Sequence, residues 1–192
     1  MQEEQFPSWD FEIGDPSFMG WFTIFVYFFT MCLCYLVRKN SGKLFPDSTV
    51  QKQRSFWSIL TVIMFALGIN KQLDLQTYMT TIGKYYARRD GWYQHRAIFQ
   101  YSFIKFIFVL SFSSLALLIF YLRDTFIDNI LAILGICLLL GFIAIRASSF
   151  HHVDAFISSS IFSVRMNWIM ELSAIFLISL SAGLILKRLI KR

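Results

Sequence analysis

Five apolar runs, at about residues 18–37, 56–75, 102–121, 127–145 and 167–186, decide what this chain can become. Each is close to the roughly 20 residues that a helix needs to cross the hydrocarbon core of a bilayer. A segment in lipid must satisfy its backbone hydrogen bonds internally, and runs of this length do so as helices. The expected fold is therefore an all-α membrane protein: a five-span transmembrane helical bundle with an interfacial amphipathic helix, residues 1–192 forming a single integral membrane domain. Hydrophobic residues make up 56% of the chain and charged residues 16%, and the charges cluster between the runs, as bilayer partitioning demands. The second run is the weakest. Its clean part ends at Ile69, and full length requires carrying Lys71 and Asp74, whose i, i+3 spacing would let them pair on one helix face.

The net charge of +6 needs no nucleic-acid partner, since basic residues at membrane edges and in Lys187-Arg-Leu-Ile-Lys-Arg192 fit retention beside anionic lipid on the cytoplasmic side. With the N-terminus outside, the cytoplasmic segments hold Arg38, Lys39, Lys43, Lys52, Arg54, Arg123, Lys187, Arg188, Lys191 and Arg192. The external segments hold Lys71, Lys84, Arg88, Arg89, Arg96, Arg146 and Arg165, and the smaller external set predicts N-out, C-in. Residues 1–15 carry five acids and no base, the reverse of a signal peptide, so the first span is expected to remain as an anchor. Cys32, Cys34 and Cys137 lie inside apolar runs, where thiols behave as small hydrophobes, and no CxxC or zinc-ligand spacing occurs.

Five spans put residues 70–101 and 146–166 on one face, where the unusual polar groups converge. After Gly68, the apolar and aromatic residues Leu75, Tyr78, Met79, Ile82, Tyr85 and Tyr86 recur at helical spacing, which predicts an amphipathic helix along the interface. Its blander role is a tilted anchor; its sharper one turns Asn70, Lys71, Gln72 and Asp74 towards a cavity as ligand-binding groups. The segment Arg88-Arg-Asp-Gly-Trp-Tyr-Gln-His-Arg96 offers Arg88, Arg89 and Arg96 as forks for a phosphate or carboxylate beside an aromatic belt.

A polar island, Arg146-Ala-Ser-Ser-Phe-His-His-Val-Asp154, separates the last two runs. His151, His152 and Asp154 suit acid/base work or a divalent metal, yet on one regular helix His152 points about 100° away from the other two. A metal would then need further ligands, with Asp74 and His95 the candidates on that face. The abundant serines lack a GxSxG elbow and suit close helix approach. Lys105 and Glu171 fall inside spans at similar depth, so each is expected to pair with the other or with the polar cluster. Asn167 shares the helix face of Glu171.

The combination Asn70-Lys-Gln-Leu-Asp-Leu-Gln-Thr77, Gly91-Trp-Tyr93 with Arg96, and the island resembles a pattern in small, uncharacterised bacterial polytopic membrane proteins, over roughly residues 55–185. The resemblance implies a bacterial inner-membrane setting and brings no activity. Two functions then compete. One is a component of a membrane assembly that binds membrane lipids or a protein partner through the outer polar groups, with Arg146 and the preceding arginines at the headgroups. The alternative is a small membrane-embedded enzyme acting on a lipid or lipid-linked substrate, with His151, His152, Asp154 and Asp74 supplying acid/base or metal chemistry and Arg88, Arg89 and Arg146 holding an anionic headgroup. A transporter ranks last, since no inverted repeat or paired broken helices are visible.

Overall fold

A computed structural model describes residues 15–73, 75–148, 160–161 and 164–190. The helices are α1 (Phe18–Lys39), α2 (Ser41–Leu44), α3 (Asp47–Leu73), α4 (Leu75–Arg89), α5 (Arg96–Tyr121), α6 (Phe126–Ser148) and α7 (Met166–Ile190). Single 3-10 turns at Tyr93–His95 and Arg123–Thr125 precede α5 and α6, and a two-residue antiparallel pair, Ser160–Ile161 with Val164–Arg165, precedes α7. Five helical segments are long and apolar enough to cross a membrane, as expected, and the architecture is an all-α bundle. The second of them begins earlier than its apolar run, at Asp47, because Asp47 favours the first turn and Thr49 hydrogen-bonds back to the Pro46 carbonyl.

Local chemistry sets the helix ends. Ser17 caps α1 by accepting from the Gly20 amide at 3.1 Å while its hydroxyl donates to Asp15 Oδ1 at 2.6 Å. The chain folds back so tightly there that a Cβ on Gly20 would lie 2.3 Å from the Asp15 carbonyl oxygen. Arg38 and Lys39 occupy the last turn of α1, and Lys187 and Arg188 lie near the end of α7, where the helix dipole favours cations. At the end of α4, Gly91 takes φ +73° and its amide reaches the Arg88 carbonyl at 3.2 Å, a left-handed stop that glycine adopts without a Cβ clash.

The helices pack in the lateral order α3, α1, α7, α6, α5, with α1 and α7 central. The buried face of α1 is Gly20, Thr23, Tyr27, Thr30, Cys34 and Val37, a stripe repeating at three and four residues. It meets Phe56, Trp57, Leu60 and Met64 of α3 and Ala174, Ile175, Ile178 and Ala182 of α7 in one core. Small residues bring α6 and α7 together most closely: a Cβ on Gly135 would sit 2.6 Å from Ile178 Cγ1 and 2.8 Å from the Ala174 carbonyl oxygen. By contrast α5 rests on α6 through Ile104, Ile107, Ser111, Leu115 and Leu118, which are half-buried, and its other described side chains are exposed.

These contacts divide the bundle into two ends. The starts of α1 and α7 and the finish of α3 share the first, where Trp168 reaches Asp15 and Lys71 reaches Glu171. The far end gathers the start of α3, the α5–α6 turn and the finish of α7. There Gln53 Nε2 donates to Thr125 Oγ1 at 2.7 Å, Trp57 Nε1 donates to Gln53 Oε1 at 3.1 Å, and Asn129 Nδ2 donates to the Thr125 carbonyl at 2.9 Å. Lys52 with Asp124 and Arg188 with Asp128 add ion pairs at its rim.

Gly135→Ala should therefore wedge α6 from α7 and cost about 1–3 kcal/mol, read as a lowered thermal midpoint in detergent. Gly141→Ala and Gly183→Ala, where a Cβ meets nothing within 4 Å, should leave the midpoint unchanged or raise it.

Candidate functional site

The polar centre of the bundle forms near the first end, where three helices contribute one group each. Glu171, five residues into α7, is 3% exposed, and both its oxygens are engaged. Lys71 Nζ, from the last turn of α3, donates to Oε2 at 2.7 Å, and the Tyr27 hydroxyl of α1 donates to Oε1 at 3.1 Å. The side chains of Lys71 and Glu171 are 6% and 4% exposed, so the pair has been withdrawn from both water and lipid. Gly68, one turn before Lys71, makes the approach possible, because a Cβ there would stand 3.2 Å from Tyr27 Cβ.

A second layer lies towards the chain end. Trp168, one turn before Glu171, donates its indole N–H to Asp15 Oδ2 at 3.3 Å, and Arg165 lies over the same ring with its guanidinium carbon 5.2 Å from the centroid. Burial pushes the Asp15 carboxyl upwards, but the hydrogen bonds from Ser17 and Trp168 and the nearby Lys71 charge outweigh it and hold the group below the usual carboxylate range. Asp15 is therefore an anion at neutral pH. Two amide oxygens flank the ion pair without a hydrogen-bond partner: Gln72 Oε1, next to Lys71, and Asn167 Oδ1, one helical turn before Glu171. Each belongs to a half-buried residue.

The expected site residues are distributed unevenly over this geometry. Lys71 and Glu171 are brought together, Gln72 stands beside them, and Asn70 is half-buried on the same stretch of α3. The cation that meets Glu171 is Lys71; Lys105 is exposed on α5, which packs against α6, and no described contact takes it to Glu171. Arg88 lies over the Tyr93 ring at 5.1 Å and Arg89 over the Tyr86 ring at 4.6 Å, with Arg89 also bonded to Asp90 at 2.8 Å. Both guanidiniums are exposed, and none of their described contacts is with the ion pair. Arg96 opens α5 and Arg146 lies in the last turn of α6, but their side chains fall outside the description. His151, His152, Asp154 and Asp74 lie outside the described residues altogether, so the acid/base and divalent-metal expectations rest on positions beyond this geometry. Among the described residues no group of three or more His, Cys, Asp or Glu is disposed to hold a metal ion.

Sequence reasoning missed Tyr27, Asp15 and Trp168. A hydroxyl within an apolar run, four residues after Thr23 and three before Thr30, was the available signal for Tyr27. No pattern pointed to the fold-back that joins Asp15 to Trp168.

Five apolar helices, three of which share a buried ion pair, are compatible with an integral, multi-pass membrane protein. No protein-family model matches the chain, and comparison with curated proteins and with solved structures finds no similar protein.

Removing one member of the pair strands the other charge where neither water nor lipid solvates it. Lys71→Met or Glu171→Leu alone should each cost about 3–5 kcal/mol, whereas the double variant should lose markedly less than their sum. Tyr27→Phe should cost only about 1 kcal/mol, the value of one hydrogen bond. Denaturation midpoints of the four proteins in mixed micelles check this; additive losses would mean the two charges act independently.

Proposed function

We propose that this chain is a multi-pass protein of a bacterial inner membrane, N-terminus outside and C-terminus cytoplasmic, which binds a lipid headgroup or a protein partner through the polar centre at its outer end, as a component of a membrane assembly. The first end of the bundle is that outer end. Support for the orientation comes from the far end, which collects Arg38, Lys39, Lys43, Lys52, Arg54, Arg123, Lys187 and Arg188 against Asp47, Asp124 and Asp128. Such an excess belongs on the cytoplasmic face. The inner-membrane setting follows from the resemblance in the 55–185 segment.

One observation carries the binding role: the ion pair is flanked by polar atoms that the described residues leave unpartnered. A pair serving only to hold helices together is best enclosed, because each unsatisfied neighbour adds a desolvation cost of about 1–3 kcal/mol. Here Gln72, Asn167 and the Asp15 carboxylate extend the polar centre towards the bundle end, and α4, leaving α3 after residue 73, packs sparsely on the other helices. That combination places buried, unpaired acceptors beside the ion pair near the end of the bundle. It is ion-pair anchored and offers hydrogen bonds in several directions, which suits recognition of a polar group presented at the membrane surface.

Two measurements test the reading. In a cysteine-free background, Gln94→Cys should react with a membrane-impermeant maleimide on intact cells and Ser48→Cys only after lysis. The reverse pattern would invert the topology. A photo-crosslinking residue at Asn70 or Arg165 should capture lipid or a protein partner while the same residue at Ser48 does not; equal capture at both ends would remove the outer-end role.

A further inference from the structure

Among the five candidate spans, α5 stands apart. No described residue of it is buried, whereas α1, α3, α6 and α7 each turn buried residues towards a neighbour. Its half-buried stripe, Ile104 to Leu118, rests on α6 and uses one side of the helix only. On the side away from that stripe, Lys105, Val109, Phe112, Ser113, Ala116 and Phe120 fall at i, i+4, i+7, i+8, i+11 and i+15, a single helical face, and all of them are exposed.

Two polar groups on that face are out of place in lipid. Lys105 lies four residues past Tyr101, where the apolar span begins, about 6 Å deeper at 1.5 Å per residue, and no described acid meets it. A charge at that depth calls for a counter-charge. Ser113, just over two turns further in, adds a hydroxyl with no described hydrogen bond. Ser173 and Ser179 of α7, by contrast, each donate to a backbone carbonyl of their own helix at 2.9 Å. A lone lysine extends its stem to the headgroups. A lysine, a serine and an alanine aligned on one face ask for a neighbouring helix, because the small and polar stripes of α1 and α7 are the ones that pack in this bundle.

Charge defines the chemistry of that neighbour. It must present a carboxylate at the depth of Lys105. A second copy of this chain does not supply one from its described residues: Glu171 is buried with Lys71, Asp15, Asp47, Asp90, Asp124 and Asp128 lie at or near helix ends, and α5 set against α5 brings lysine to lysine. Going beyond the outer-end site, we infer that the face of α5 from Lys105 to Phe120 is a docking surface for a transmembrane helix of a different protein, one that carries an Asp or Glu about one turn inside its span. The carboxylate pairs with Lys105, Ser113 hydrogen-bonds across the interface, and Ala116 lets the two backbones approach.

In cells of the native host, a photo-crosslinking residue is placed in the full-length protein at Val109 or Phe112 on this face, and at Leu110, which is exposed on another side of α5. Val109 and Phe112 should each give a discrete protein adduct in yield about tenfold above that of Leu110, and mass spectrometry should place the crosslink on a transmembrane helix containing Asp or Glu. Lys105→Leu should lower that yield about tenfold, the worth of one charge pair held out of water, while Lys105→Arg keeps it. The yield lost in Lys105→Glu should return when the partner's acid is replaced by lysine. Lipid adducts alone, equal yields from the three positions, an adduct of the chain with itself, a captured helix without an acid, or a yield indifferent to Lys105→Leu each overturns the docking surface. Thermal midpoints of purified wild type and Lys105→Leu should agree, since no described residue of the chain pairs with Lys105; a midpoint lowered along with the adduct would put the counter-charge inside this chain and overturn the proposal as well. None of these outcomes bears on the outer-end site, which the crosslinks at Asn70 and Arg165 test separately.

Discussion

A carboxylate placed inside a membrane bundle must find a cation or a proton, and Glu171 finds Lys71. Much of that end of the bundle follows from this requirement. Glu171 lies five residues into α7 and Tyr27 nine residues into α1, about 8 and 13 Å from their helix starts at 1.5 Å per residue. One hydrogen bond between them fixes the stagger of these two central helices. Lys71, close to the finish of α3, reaches the same carboxylate with its long stem, so α3 is held at a matching depth although it packs chiefly on α1. The ion pair therefore specifies register rather than adding bulk stability, the use for which buried charges are best attested.

The packing is not governed by the rule for water-soluble proteins, in which apolar faces must turn inward. Lipid is as apolar as leucine, so the most apolar face of each helix has no reason to turn inward. Phe25, Phe29, Val62, Phe65, Phe106 and Phe112 are exposed, whereas Thr23, Thr30, Gln53, Asn129, Glu171 and Ser181 are buried. The stripe that turns inward on α1 is its small and polar one, and on α7 the buried positions 171, 174, 178, 181 and 185 repeat in the same way. Helix ends follow the same pattern. Gln53, Thr125, Asn129 and Trp57 form a neutral network at the far end, where it joins α3 to the turn before α6.

What was legible in the sequence follows from these two facts. Run length and charge clustering reveal spans, because both report directly on partitioning into a bilayer; hence the helices and the separate amphipathic α4 stand where the apolar pattern puts them. Lateral order leaves no comparable trace. Lys105 and Lys71 look alike as cations near the ends of spans, and only the placement of α5 on the flank of α6, away from α3, decides which of them meets Glu171. Asp74, the expected i, i+3 partner of Lys71, lies outside the described residues, and the partner that the described residues give Lys71 is Glu171, two helices away in the lateral order. Tyr27 could have been read from its spacing to Thr23 and Thr30. Asp15 and Trp168, 153 residues apart, could not.

The two ends of the bundle have resolved the same problem differently. At the far end, polar side chains from α3, the α5–α6 turn and α6 bond to one another with Asn129 Oδ1 left without a donor, and the ion pairs Lys52–Asp124 and Arg188–Asp128 stay at the exposed rim where water screens them. That arrangement minimises buried charge and suits a part whose task is to close. The first end instead takes its ion pair out of solvent and surrounds it with acceptors that nothing among the described residues satisfies. Selection for stability alone would replace Asn167 or Gln72 with an apolar residue, since an unpaired buried amide oxygen is a standing cost and a leucine there would shed it. Local departures from the stable choice collect where a surface must remain ready for something else. Two of the four unpaired buried oxygens among the described residues stand beside Lys71 and Glu171, and the proposed binding role rests on them.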